Sequence, residues 1–233
     1  MNAPFILVVC LANLFCLAPL SVYLLYLAVL ARRPRPTVVS GPWDFAALAA
    51  GLSGFVLFGG GLFLHLAQSN FRYWVRGNLE AFRGAWGSEK TTWLLLSLCY
   101  GLAVALVVAL TLAARRLSFS VYNVSVPEFE AAIGDVLEQL NRPVERRGNA
   151  WSGPTGPLFQ VDHFDGGRAV TLRWLSDDRP LFLDVERLTR EAVRSAGADE
   201  NPAGPWLMAF AGGTASWAAG SLGLLVVYFF SLR

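Results

Sequence analysis

The sequence predicts an α-helical integral membrane protein with four transmembrane helices, plus a small α+β two-layer soluble domain inserted between helices 3 and 4. Three observations predict it. Of 233 residues, 55% are hydrophobic and 15% charged, with a mean hydropathy of +0.45; soluble domains run at roughly 45–50% and about 25%. Four apolar runs are each long enough to cross about 30 Å of hydrocarbon, which takes about 20 helical residues. The charges are also segregated. Residues 117–205 hold 9 of the 19 basic and 14 of the 17 acidic side chains, so this stretch is at −5 and the remainder at +7. An acidic soluble domain repels a phosphate backbone, which excludes nucleic acid as a partner.

The first run, 5–31, is 27 residues without a charge. It is too long for the apolar part of a signal peptide and has no Lys or Arg before it, so it reads as an uncleaved anchor with Pro19 near its middle. Arg32, Arg33 and Arg35, with Pro34 and Pro36, end it, because arginine avoids hydrocarbon and proline breaks the helix. Ser40-Gly41-Pro42 turns the chain, Trp43 suits an interface, and Asp44 suits the positive end of a new helix. The second span, 45–67, is rich in small residues and carries His65 near its far end.

An interfacial amphipathic helix is expected over 70–86. Phe71, Trp74, Phe82 and Trp86 recur at helical spacing, with Arg72, Arg76 and Arg83 opposite, the pattern of a helix lying in the headgroup plane. The third span, 92–114, carries Gly101, Ala105 and Ala109 four apart. The fourth, 206–233, repeats the device with Gly212, Ser216 and Gly220. Such rows let another helix approach closely. No acidic or basic residue lies mid-span, which argues against a channel or ion-coupled transporter. Cys10, Cys16 and Cys99 all lie in apolar runs and offer neither a disulfide framework nor metal spacing.

The insert reads strand–helix–strand–strand–strand–helix. Leu117 to Val124 is a strand. Ser125 and Glu128 form a capping box ahead of a helix whose Phe129, Ile133, Val136, Leu137 and Leu140 share one face. Val144 to Trp151 is a second strand, and Ser152 to Pro157 is a loop without the lysine of a phosphate-binding loop. Leu158 to Leu175 is a hairpin turning at Asp165-Gly166-Gly167. Alternation puts Phe159, Val161 and His163 on the inward face with Val170, Leu172 and Trp174. A second helix starts between Leu181 and Glu186, with Val185, Leu188 and Ala192 inward. The stretch 197–205 is a tether, and 117–200 is expected to fold alone.

Asp162, His163 and Asp165 are the sole metal candidates, and alternation separates Asp162 from His163. An enzyme at the membrane surface would have to assemble Asp162, His163, Asp177 and Asp178, which no spacing brings together. No catalytic or cofactor motif stands out and no cofactor is expected. The reading that follows is a non-enzymatic structural, assembly or adaptor subunit. Its partners are the lipid bilayer and either other membrane-protein subunits or a second copy. Basic residues number five on each side of the membrane; the arginines abutting spans one and three favour a cytoplasmic insert and an outside N-terminus.

Overall fold

The computed structural model describes residues 3–61, 79–154, 156–195 and 201–231. Among them are four helices long and apolar enough to cross a membrane, together with one antiparallel sheet. The chain divides into two compact units. One comprises Met1–Leu24, Leu48–Leu110 and Phe210–Arg233, the other Leu25–Ala47 and Thr111–Ala209.

The first unit is helical. Helix α1 is Ala3–Ala31 and contains Pro19; α2 is Gly41–Gly54, continued by a π-helical turn at Phe55–Gly59. Helix α3 is Leu79–Ala114. The residues from 79 onward belong to α3, and the rest of the stretch expected as an interfacial helix, 70–78, lies outside the described residues. Phe82, Arg83 and Trp86 lie on that backbone, whereas Phe71, Arg72, Trp74, Arg76 and His65 lie outside the described residues.

Close approach of α1 and α2 depends on a missing hydrogen bond. Pro19 has no N–H, so the Phe15 carbonyl, four residues earlier, lacks its helical donor. Gly54 fills that place: a Cβ built on it would lie 1.8 Å from the Phe15 oxygen. The glycine Cα–H can rest on the freed carbonyl, a weak but real attraction. One helical turn away, a Cβ on Gly51 would lie 2.4 Å from the Cβ of Tyr23. Across the π-turn the Tyr100 hydroxyl donates to the Val56 carbonyl at 2.5 Å. Gly54→Ala should therefore cost roughly 2–3 kcal/mol through overpacking. Gly101→Ala, where an added Cβ meets nothing within 4 Å, should be neutral or slightly stabilising. Thermal melts of the two variants in detergent check this, and equal melting temperatures would contradict the α1–α2 contact.

The second unit is built on a six-stranded antiparallel sheet. Its strands are β1 (Thr37–Ser40), β2 (Ser118–Tyr122), β3 (Glu145–Arg147), β4 (Ala150–Gly153), β5 (Gly156–Phe164) and β6 (Ala169–Trp174). They lie in the order β1-β2-β6-β5-β4-β3. Two helices, α4 (Val126–Gln139) and α5 (Arg179–Ser195), cover one face. The last helix, α6, is Ala203–Ser231.

Two features depart from the sequence reading. The sheet takes its edge strand from outside the insert, with Thr37 opposite Tyr122 and Ser40 opposite Phe119. The stretch Val144 to Trp151 is not one strand but β3, a turn, and the start of β4. Gly148 at φ +65° makes that reversal possible.

The capping box closes as its residues suggest. Ser125 Oγ accepts from the Glu128 N–H, and Glu128 accepts from the Ser125 N–H at 2.9 Å. Phe129, Ile133, Val136 and Leu137 are then fully buried. Helix α5 starts earlier than expected because Asp178 caps it, accepting from the Leu181 N–H at 3.0 Å. The earlier start turns the buried stripe to Phe182, Val185, Thr189 and Val193, with Leu188 and Ala192 at its margin. Across the inner face, Trp151 stacks on Phe159 at 5.6 Å and Phe159 on Trp174 at 5.7 Å, with Phe182 edge-on to Trp174. This ladder follows from the register, in which Trp151, Phe159 and Trp174 are successive cross-strand neighbours.

Candidate functional site

The ionisable candidates do not converge. His163 pairs across the strands with Val170, on the inward side of the alternation, yet its side chain is 52% exposed. The expectation that it points into the core is corrected for a simple reason. Strand β4 pairs with β5 only as far as Ala150 opposite Gln160, so beyond Val161 the strand has a neighbour on one side alone. Asp165 lies in the turn, with an oxygen 4.0 Å from His163 Nε2. Asp162 faces the other way, where Gln160 donates to it at 3.2 Å. Among the described residues no group of three His, Cys, Asp or Glu could hold a metal. Asp178 is occupied as a helix cap, and Asp177 follows the far end of β6. From the level of Val170 to Trp174 is four residues, about 14 Å of strand, so these aspartates and His163 sit at opposite ends of the hairpin.

The small-residue rows face outward within their own chain. Ala105 and Ala109 are exposed, and an added Cβ at Gly101, Gly212 or Gly220 would meet nothing within 4 Å. Ser216 and Gly220 line a cleft of about 650 Å³ between α1 and α6.

The densest polar constellation is one that spacing did not reveal. Asn123 and Asn201 are buried, at 2% and 4% exposure. Asn123 sits at φ +63°, a left-handed conformation that asparagine tolerates better than most residues. Its Nδ2 donates to the Leu30 carbonyl at 2.7 Å and the Arg33 carbonyl at 3.2 Å. It thereby bonds two carbonyls at the end of α1, that of Leu30 in addition to the Arg33 N–H it already accepts at 3.2 Å. Asn123 Oδ1 accepts from Asn201 Nδ2 at 2.8 Å, and the same nitrogen donates to Gly167 in the β5–β6 turn at 2.9 Å. Asn201 Oδ1 in turn accepts from the Ala203 N–H at 3.0 Å, which caps α6. Two amides thus join the end of α1, the end of β2, a hairpin turn and the start of α6.

A second polar cluster lies on the outer face of the sheet. Asp44, in the first turn of α2, accepts from the Tyr122 hydroxyl at 2.5 Å and from Ser120 Oγ at 3.3 Å. Ser120 also shares a hydrogen bond with Thr171 at 3.0 Å. Alternation places Ser118, Ser120 and Tyr122 opposite the core residues Phe119 and Val121. Ser118 and Ser120 are nonetheless buried. Gly41 allows this close cover, since a Cβ there would lie 1.9 Å from Ser118 Oγ. At the same junction the Arg115 guanidinium lies over the Phe45 ring, 5.3 Å from its centroid.

Both clusters are networks of hydrogen-bonded amides, hydroxyls and one carboxylate. They hold chain segments together. Compared with known proteins, the chain matches no family model, no curated protein and no solved structure.

Proposed function

We propose that this chain is a multi-pass integral membrane protein acting as a structural, assembly or adaptor subunit of a membrane complex, with its α+β unit as the interaction module. The observation that carries this reading is how little the apolar helices bury of themselves. None of the apolar window of Lys90–Ala114 is buried, and the most buried of the four candidate spans reaches 28%. Lipid can cover apolar surface, but a row such as Gly101, Ala105 and Ala109 gains most from another helix backbone. The asparagine clamp supports the adaptor part of the reading. It anchors the sheet to the ends of α1 and α6 through short, buried bonds. Orientation follows the same proposal: the sheet unit in the cytoplasm and the N-terminus outside, on the strength of Arg32, Arg33, Arg115 and Arg116 at the helix ends beside it.

Purification of the full chain from its own membranes in mild detergent tests the reading. The expected result is a stoichiometric assembly, with a second subunit or with itself. An impermeant thiol reagent should reach a single cysteine at Asn149 only after the cells are opened. A lone monomer would overturn the subunit reading, and turnover of a membrane substrate by that monomer would replace it with a surface enzyme.

A further inference from the structure

Helix ends meet both ends of the β1–β2 ribbon. Strand β1 is joined to α1 by residues 32–36, and α2 starts directly after it. Strand β2 follows the end of α3 at Ala114 just as closely. At its far end Asn123 bonds the last turn of α1 and, through Asn201, the cap of α6. The ends of α1 and α6 thus flank the Thr37–Tyr122 pair, and those of α2 and α3 the Ser40–Phe119 pair. Thr37 to Ser40 is three steps of strand, about 10 Å. In a bilayer crossed by these helices, a ribbon tied at both ends to their termini lies in the headgroup layer.

Arginines stand at both ends of this ribbon. Arg32, Arg33, Arg35, Arg115 and Arg116 are all exposed, and none of them makes an ion pair among the described residues. Asp44 is the one acidic side chain in 25–47 and 111–124, and it already accepts from Tyr122 and Ser120. The backbone that presents the arginines is held in place: the Arg33 carbonyl accepts from Asn123, and the Arg115 carbonyl from Ser118 Oγ at 2.9 Å. At each end an exposed tryptophan lies in the first turn of a helix, Trp43 of α2 at 75% exposure and Trp206 of α6 at 70%. Near Trp206, a Cβ on Gly204 would lie 3.2 Å from Arg32 Cγ. A guanidinium matches the paired oxygens of a phosphate, and an indole favours the boundary between headgroup and acyl chain. Five positive charges against one occupied carboxylate call for a ligand with net negative charge. A choline or ethanolamine headgroup cancels its own phosphate, and a free phosphate in water gains nothing from the tryptophans. The geometry points to anionic phospholipid headgroups as the ligands of this ribbon, held by Arg32, Arg33 and Arg35 at one end and by Arg115 and Arg116 at the other.

This inference rests on the integral-membrane reading above and deepens it by naming the headgroup charge. The test puts the full chain into vesicles of phosphatidylcholine mixed with phosphatidylglycerol. Native mass spectrometry of the released protein then reads the ratio of anionic to zwitterionic lipid it retains. The parent should be enriched in phosphatidylglycerol over the vesicle itself. Arg33→Gln with Arg35→Gln, and separately Arg115→Gln with Arg116→Gln, should each lower the ratio at least about fivefold. Arg179→Gln with Arg194→Gln removes the same charge from exposed positions of α5, across the sheet, and should leave the ratio unchanged. The substitutions keep the carbonyls that Asn123 and Ser118 bond, so all variants should melt like the parent in pure phosphatidylcholine. No enrichment in the parent, or an equal loss from the α5 pair, would overturn the proposal. Lower melting of the ribbon variants in pure phosphatidylcholine would also overturn it, by making these arginines structural. So would inorganic phosphate abolishing the enrichment where chloride of equal ionic strength does not, since the site would then take a free anion. A chain stripped from its own membranes by alkaline carbonate would overturn the membrane reading itself; one that stays embedded without enrichment overturns this proposal alone.

Discussion

Asn123→Ala is expected to lower the stability of the sheet-containing unit by roughly 3–5 kcal/mol. Three bonds are lost at once, to the carbonyls of Leu30 and Arg33 and from the Nδ2 of Asn201, although Leu30 still accepts from the Arg33 N–H and Asn201 still donates to Gly167. Each lost bond costs about 0.5–1.5 kcal/mol net, rising to about 1–3 kcal/mol where a buried group is left unpaired, and water has little access to a site 2% exposed. Alanine at φ +63° adds about 1–2 kcal/mol of backbone strain. For a unit of this size the melting temperature should fall by roughly 6–20 °C. Asn123→Gly separates the two causes, because it keeps the backbone conformation and loses only the bonds; it should cost less than alanine. Asn201→Ala should cost roughly 2–4 kcal/mol through the lost cap on α6 and the unpaired Asn123 oxygen. The two alanine changes share a bond, so the double variant should lose less than the sum of the single losses. Unchanged melting of Asn123→Ala would mean that the clamp carries no stability.

Local pattern made some of this architecture legible. The apolar runs, the Ser125–Glu128 capping box and the β5–β6 register all depend on residues within a few positions of one another. Where the outcome depended on something distant, the pattern was silent. Thr37-Val38-Val39-Ser40 has strand-forming composition, but its partner, β2, lies some eighty residues on, beyond two apolar helices. A turn signal at Ser40-Gly41-Pro42 was all that could be read there. His163 obeys the alternation and is exposed only because β4 stops short of it. Asn123 and Asn201 resemble ordinary turn residues, which asparagines usually are. Asn201-Pro202 just ahead of an apolar run was the one available hint, an N-cap signature that the reading of 197–205 as a tether passed over. The stripe of α5 was displaced because the cap at Asp178 precedes a proline at the second helical position, which starts a helix rather than blocking one.

Residues 117–200 expressed alone should fail to give a cooperatively folded protein, and adding β1 should rescue them. Without β1, strand β2 becomes an exposed edge beside Phe119 and Val121, a template for edge-to-edge aggregation. Val38, buried in the same core, is lost. A domain of this size has little stability in reserve, so the loss of one strand can unfold it. The topology supplies its own repair. Helices α2 and α3, with the stretch between them, are an insertion between two antiparallel neighbours, because Ser40 at the end of β1 lies opposite Phe119 near the start of β2. A two-residue Asn-Gly turn from Gly41 to Ser118, the next positions in this register, would close them as an ordinary hairpin. Residues 34–41 joined in this way to 118–205, which also retains Asn201, should be soluble, monomeric and sharply melting. Its amide spectrum should be well dispersed and that of 117–200 collapsed. Val38→Asp in the joined chain tests the strand itself, since it puts a charge where the Val38 side chain is buried in the core. If 117–200 alone gives a dispersed spectrum and a sharp transition, β1 is dispensable and the soluble unit is the insert by itself.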